Sequence, residues 1–295
     1  MNDTDIQCGF DGNGDIYGMG VRVGIYLQWA TSVLAEHLHE PAVESTRGAN
    51  TIFQFAMLAG LILITTSKAI ETRAIEGYIT LLFCFASAWI ASLPGYSAAR
   101  AAFGRSKSSD DQQFASSGIR GEVDLLLGMA TCSYGVWFMF CGLDRLPRTA
   151  CPEAVFFFAP VHPFGWFRTV AKIAFVASLV ASLVLTPLHT WLLARDMAEY
   201  VAHWRNPIDP PAPSDIVRTV HLRLFKFFGN LAAMAIFIVA VELTLFWNNI
   251  RSIHTCDTFS QLFPLMVGTT NFARICYQLS KSLVLGDARI AWQWK

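Results

Sequence analysis

Two charges of opposite sign stand where water should be absent. Arg22 interrupts an apolar run from Ile16 to Leu34, and Glu242 is the only charge between Phe227 and Trp247. An ionisable side chain inside an apolar helix is costly, so it pairs, faces water or does chemistry. Arg22 lies about six residues from the outer end of its run and Glu242 about five from the outer end of its own, which at roughly 1.5 Å per residue gives a common depth. The spacing predicts an ion pair or a shared polar cavity. A second set lies toward the other side. Asp124, His189, Asn230 and Arg274 fall at comparable inner depths and predict an inner polar pocket, with Arg274–Asp124 as a structural pair.

Other chemistries find less support. The 7 histidines form no His-x3-His pair within an apolar run, and His37 and His39 point to different helix faces, so no metal is expected. Asp11-x-Asn13-x-Asp15 has the opening of a calcium loop, but Ile16 replaces its glycine and Arg22 its closing glutamate. No serine sits on a nucleophile elbow. Gly20 and Gly24, flanked by Gly18, have the spacing that lets two membrane helices approach closely. No strand precedes them, so they are not a dinucleotide loop, and no cofactor is expected.

The elements that must position these groups are long apolar segments. Apolar residues make up 54% of the 295 and charged residues only 15%, well under the charged fraction of a soluble domain. A spanning helix needs about 20 mostly apolar residues. Candidate spans are Ile16–Leu34, Ala49–Ser67, Tyr78–Leu93, Val123–Gly142, Thr169–Ala194, Phe227–Trp247 and Phe259–Leu285. The expected fold is an all-α polytopic membrane bundle of about seven transmembrane helices, because only helices close their backbone hydrogen bonds within one segment in lipid. Residues 1–15 form an acidic outer tail, 16–286 a single transmembrane domain and 287–295 a short cytoplasmic tail. With the N-terminus outside, inner loops and tail hold 13 of the 22 basic residues and outer loops 7, which favours N-out and C-in. The first fifteen residues hold no Lys or Arg, so no cleavable signal peptide is expected. Net charge is zero, which gives no case for nucleic acid. The expected partner is the lipid bilayer of a plasma membrane or endomembrane, with a homo-oligomer left open.

In that orientation Cys8, Cys141, Cys151 and Cys256 fall on the oxidising side, where disulfides form. Three pairings are open; Cys8–Cys256 with Cys141–Cys151 is expected, against unpaired thiols. Cys84, Cys132 and Cys276 read as packing residues. Asn2-Asp3-Thr4 is a glycosylation sequon on the outer side. Tyr96 to Arg120 reads as a flexible loop. A short amphipathic helix is expected before the prolines at 207–213. The apolar stretch from Ala150 to Arg168 is expected to dip into the interface or lie over the bundle mouth.

Two segments, Asp15 to Gln28 (DIYGMGVRVGIYLQ) and Cys151 to Thr169 (CPEAVFFFAPVHPFGWFRT), resemble a group of fungal multi-pass membrane proteins. These share an Asp-Ile-x-Gly-x-Gly-Val-Arg-x-x-x-Tyr-x-Gln signature and an aromatic stretch ending in Gly-Trp-Phe-Arg-Thr. Pro160 stands where many of them have lysine. The resemblance implies an integral membrane protein and brings no activity. It implies that Asp15, Gly18, Gly20, Arg22, Tyr26, Gln28, Cys151, Gly165, Trp166 and Arg168 are defining elements that meet near the outer face.

Two functions follow as expectations. The first is a non-enzymatic sensor, channel or transport component with a polar cavity at Arg22 and Glu242. The alternative is an intramembrane enzyme on a lipophilic substrate, such as a membrane-bound terpene cyclase, with Glu242 or Asp124 as the acid and aromatic rings stabilising cations. A closed aromatic chamber around Glu242 would favour the enzyme, and a continuous polar path would favour transport.

Overall fold

The computed structural model describes residues 8–38, 40–67, 71–92, 111–149, 151–205 and 216–284. The Asn2 sequon, the prolines at 207–213 and the stretch 93–110 lie outside them. The fold is all-α, and the described residues form seven long helices: α1 Met19–Leu38, α2 Glu40–Thr66, α3 Ala74–Ser92, α4 Asp111–Trp137, α5 Trp166–Arg205, α6 Ile216–Trp247 and α7 Phe259–Val284. Among the described residues four stretches are long and apolar enough to cross a membrane: Thr46–Thr66, Gly121–Arg145, Trp166–Trp191 and Lys226–Trp247. In α3 the apolar part is the shorter Ala74–Ile90. Polar residues interrupt α1 and α7, as at Arg22, Gln28, Asn271 and Arg274.

Side-chain contacts fix the direction of each helix. Tyr17 meets Glu76 and Trp29 meets Ser87, so α1 and α3 run parallel. Thr51 meets Asp124 and Thr65 meets Tyr134, so α2 and α4 run parallel. Arg22 with Glu242 and Glu36 with Lys226 make α1 and α6 antiparallel. His189 with Glu122 and Arg168 with Met139 do the same for α4 and α5. Helices therefore alternate in direction, and α1 and α7 begin at the same end. That end is capped by two small sheets. One is β1 Phe10–Asp11 paired in parallel with β4 Ile250–Arg251, and the other is the hairpin β2 Val155–Phe156 and β3 Pro160–Val161.

Helix α1 lies at the centre, against α2, α3, α6 and α7, while α5 packs mainly on α4. Trp29, Tyr17, Phe83 and Phe138 are fully buried. Around Trp29 and Phe85 the rings of Phe83, Phe175, Phe237 and Tyr26 stand 5.0–6.5 Å apart by centroid. Those are the offset separations that aromatic pairs prefer. Close packing and hydrogen bonds such as Trp29 Nε1 to Ser87 Oγ, 2.9 Å, join the helices, as is needed wherever lipid leaves no hydrophobic drive to associate. Only 6% of the apolar window of α5 is buried by protein, so its Val, Ile and Leu side chains suit a lipid face.

Three local expectations are corrected. The first span does not run unbroken from Ile16: a single turn, Gly14–Tyr17, ends at Gly18, and α1 begins at Met19. Residues 111–120 are helical rather than loop, because α4 continues beyond the apolar segment. The helix expected near residue 200 is not separate but the end of α5, which runs 40 residues through Pro187. The apolar stretch, described from 151 to 168, folds back at the capped end as a hairpin whose turn places Phe158 at φ 57°. Asn248 holds it to α6, accepting from Ala154 N at 3.1 Å and donating to Ala154 O at 2.6 Å.

Candidate functional site

The polar residues of α1 are the reference for both ends. At the capped end Arg22, only 5% exposed, places Nη1 2.6 Å from Glu242 Oε2. The other carboxylate oxygen accepts from the Tyr26 hydroxyl at 2.8 Å. Arg22 and Tyr26 are four apart and share one helix face, so α1 presents a cation and a phenol to a single acid on α6. Arg22 Nη2 also donates to Ile253 O at 3.4 Å, which ties the segment after β4 to α1.

Gly18, Gly20 and Gly24 face α7. A Cβ at Gly20 would stand 2.6 Å from Gln261 O, and one at Gly24 would stand 2.5 Å from Pro264 C. From the other side a Cβ at Gly268 would stand 2.9 Å from Gly24 Cα. The two backbones touch, which is what a small-residue stripe in a membrane helix permits.

The cap is built from short-range polar contacts. Glu76, at the start of α3, is buried; it accepts from the Tyr17 hydroxyl at 2.5 Å and from Arg73 N at 2.8 Å. Asp15 accepts from Ser260 Oγ at 2.5 Å and Thr258 Oγ1 at 2.7 Å. The Ser260 bond first, and then the Thr258 bond, hold its carboxyl below the usual aspartate value, with burial opposing them. Both bonds therefore add stability above the ordinary aspartate pKa, and that stability is lost as pH falls through the lower folded-state value.

Arg168 clamps α5 to α4. Its guanidinium makes a fork to Asp144 at 2.9 and 2.6 Å, while Nε donates to Met139 O at 2.7 Å and Nη2 to Phe140 O at 3.0 Å. Both carbonyls belong to the π-helical turn Phe138–Gly142 that follows α4. Such a turn shifts the backbone ladder by one residue and needs outside partners to hold it. Lysine cannot reproduce a planar fork plus two carbonyl bonds. Arg168→Lys is expected to cost about 2 kcal/mol, given that a hydrogen bond to a charged group contributes about 1.5–3 kcal/mol. The change is read as a lower unfolding midpoint in detergent, and an unchanged midpoint would refute the clamp.

The disulfide expectation is corrected. Cys8 is bonded to Cys151, with Cα atoms 5.7 Å apart, and Cys141 and Cys256 are free. The reason is positional: β1 passes beside the hairpin, whereas Cys256 lies under Gly20, with its Sγ facing α1.

The inner residues separate. Asp124, 3% exposed, accepts from Thr51 Oγ1 and lines a small cavity with Ser32, Glu36, Arg47 and Asn50. His189 bonds instead to Glu122, Nδ1 to Oε1 at 2.7 Å, on the α4–α5 face. Asn230 is fully buried in α6, and its amide has no hydrogen bond among the described residues. Arg274 is an exposed residue of α7 and lies outside the cavity lining. The sequence reading missed Glu36, which accepts from Lys226 Nζ at 2.5 Å and stands 3.7 Å from Arg47 Nη2. The available signal was Gln28, Ser32 and Glu36 at four-residue spacing on one face of α1. Among the described residues no three His, Cys, Asp or Glu side chains group as metal ligands.

No protein family, no curated protein and no solved structure matches this chain.

Proposed function

We propose that this chain is an integral membrane protein of seven crossings that serves as a non-enzymatic sensor, channel or transport component. Its N-terminus lies on the exterior or lumenal side and its C-terminus in the cytosol. The alternating helices support an odd number of crossings, and α1, at 20 residues, spans roughly 30 Å, the thickness of the hydrocarbon layer. The Cys8–Cys151 bond at the capped end supports an oxidising compartment there. The resemblance of the Asp15–Gln28 and Cys151–Thr169 segments to fungal multi-pass proteins agrees with this reading.

The observation that carries the non-enzymatic reading is the state of Glu242. Arg22 and Tyr26 occupy its two oxygens. An acid that starts a carbocation cascade must hand a proton to its substrate, and a carboxylate gripped by a guanidinium and a phenol accepts hydrogen bonds instead. Aromatic side chains that could stabilise cations pack tilted or edge-to-face against one another. The test is incubation of the purified protein in lipid with farnesyl and geranylgeranyl diphosphate. No cyclised product is expected by mass spectrometry. A product that disappears in Glu242→Gln would establish the enzyme instead. A reporter fused after Lys295 should be cytosolic, and an exterior signal would reverse the orientation.

A further inference from the structure

The seam between α1 and α2 holds more polar atoms than its contacts use. Gln28, Ser32 and Glu36 share one face of α1; Arg47, Asn50 and Gln54, three and four apart, share one face of α2. The helices are antiparallel neighbours, so Glu36 lies level with Arg47, Ser32 with Asn50, and Gln28 with Gln54. Ser32, Glu36, Arg47, Asn50 and Asp124 surround a cavity with room for about one water molecule. Deeper in, Gln28 and Gln54 are 3% and 1% exposed. Nε2 and Oε1 of both, and Oγ of Ser32, have no hydrogen-bond partner among the described residues. A buried amide left unsatisfied is costly, so a set of such atoms beside a polar cavity marks a site that takes a polar ligand.

The ligand class follows from size and charge. The mouth carries Glu36 and Asp124 against Arg47 and Lys226, which sum to zero, and the inner end has only neutral amides. Arg47 and Lys226 oppose a metal cation, and the cavity is too narrow for a hydrated ion. Water fits, and a proton is the charge that water can carry here. Asp124 is arranged to receive one. The Thr51 hydroxyl has two acceptors, Asp124 Oδ1 and Arg47 O, the second at 2.9 Å. While Asp124 is ionised, Thr51 donates to it. Once Asp124 is protonated, its O–H can donate to Thr51 Oγ1, and Thr51 donates to the Arg47 carbonyl. The Thr51 hydroxyl can therefore serve either state of the carboxyl by rotating, without moving a backbone atom.

We propose that the α1–α2 seam is a one-sided proton-access site: water enters from the uncapped end beside Glu36 and Arg47, hydrates the Gln28 and Gln54 amides, and exchanges protons with the buried Asp124 carboxyl. The step is an acid–base transfer, in which a carboxylate oxygen of Asp124 takes a proton from hydronium and leaves water. Among the described residues the charged groups nearest Asp124 include Glu36 from α1, with its partner Lys226 from α6, Arg47 from α2, and Glu122 on its own helix, which turns to His189. The seam stops at the two glutamines, so the proton returns to the side it came from. This rests on the membrane reading above and narrows it toward sensing of pH on the cytosolic side.

The test is infrared difference spectroscopy of the full chain in nanodiscs between neutral and acidic buffer. The expected signal is a carboxylic C=O band that shifts in heavy water and is lost in Asp124→Asn. Asp124→Glu should keep a band at a changed frequency, and Thr51→Val should keep the band and displace it. In Ser32→Leu, which fills the cavity beside Asp124, the hydrogen–deuterium shift of that band should develop at least tenfold more slowly. A band that survives in Asp124→Asn, no band at all, or an unchanged exchange rate in Ser32→Leu overturns the proposal. So does a Gln28→Leu/Gln54→Leu variant that gains thermal stability, since the amides would then be dry. A cyclised product from a prenyl diphosphate would overturn the non-enzymatic reading and leave the infrared band untouched, so the two failures are distinguishable.

Discussion

Gly24→Ala is expected to lower the stability of the folded bundle by about 3 kcal/mol, at the top of the range for overpacking. Even a single methyl has no room. Its carbon would stand 2.5 Å from Pro264 C and 2.8 Å from Leu265 N, both backbone atoms that no rotamer change can move. Helix α7 packs mainly on α1, so it must shift as a whole, and the Gly268 contact opens with it. Gly60→Ala is the matched control. That glycine also lies mid-helix, and nothing stands within 4 Å of an added Cβ. There the methyl should raise stability by about 0.5–1 kcal/mol through backbone entropy. Thermal unfolding in detergent, followed by tryptophan fluorescence, measures both. Equal effects at the two sites would mean that the α1–α7 crossing is not a backbone contact.

Glu242→Leu is expected to cost more than Arg22→Leu, although each removes the same ion pair. Arg22 is 5% exposed and Glu242 is 44% exposed. Removing the acid strands a buried guanidinium, for which a loss of about 3–5 kcal/mol is usual. Removing the arginine leaves a carboxylate that still has the Tyr26 hydroxyl and partial access to the surroundings, so a loss near the bottom of that range, about 3 kcal/mol, is expected. The double variant should be more stable than Glu242→Leu alone, because no charge is stranded. A cycle of the four proteins in unfolding assays gives the coupling directly. Penalties that simply add would show that Arg22 and Glu242 act independently.

The outer pair was legible because it depends on one coordinate. Counting residues from the ends of two apolar runs sets depth, and depth alone brings Arg22 level with Glu242. The glycine stripe was legible for a similar reason, since Gly20 and Gly24 are one turn apart and share a face. The inner residues needed a second coordinate, the rotation of each helix about its axis. Asp124 and His189 lie near one depth but face different neighbours, Thr51 on α2 and Glu122 on α4. Cysteine pairing needed a third, the lateral order of the helices, which decides whether Cys8 lies beside Cys151 or Cys256. The π-turn had no local signal at all. Phe138–Gly142 is an ordinary apolar string, and its carbonyls are held by Arg168 from the next helix. The start of α4 at Asp111 was hidden because Asp, Ser and Gly favour loops on their own and are helical here through continuity with the segment after them.

Strand β1 joins two distant stretches of the chain in space. Its partner β4 is encoded some 240 codons later, as the Asn249 to Cys8 hydrogen bond shows with a separation of 241. Glu242 likewise follows Arg22 by 220 residues. At a translation rate of about 5–20 residues per second, α1 waits on the order of 10–40 s before its counter-charge is synthesised. On the membrane reading proposed above, Arg22 is sheltered during that interval by snorkelling toward the headgroups or by an insertase. Insertion of α1 on that reading is complete only once the segment carrying Glu242 has been delivered, and a product terminated before it would carry a bare cation into the quality-control machinery of the membrane.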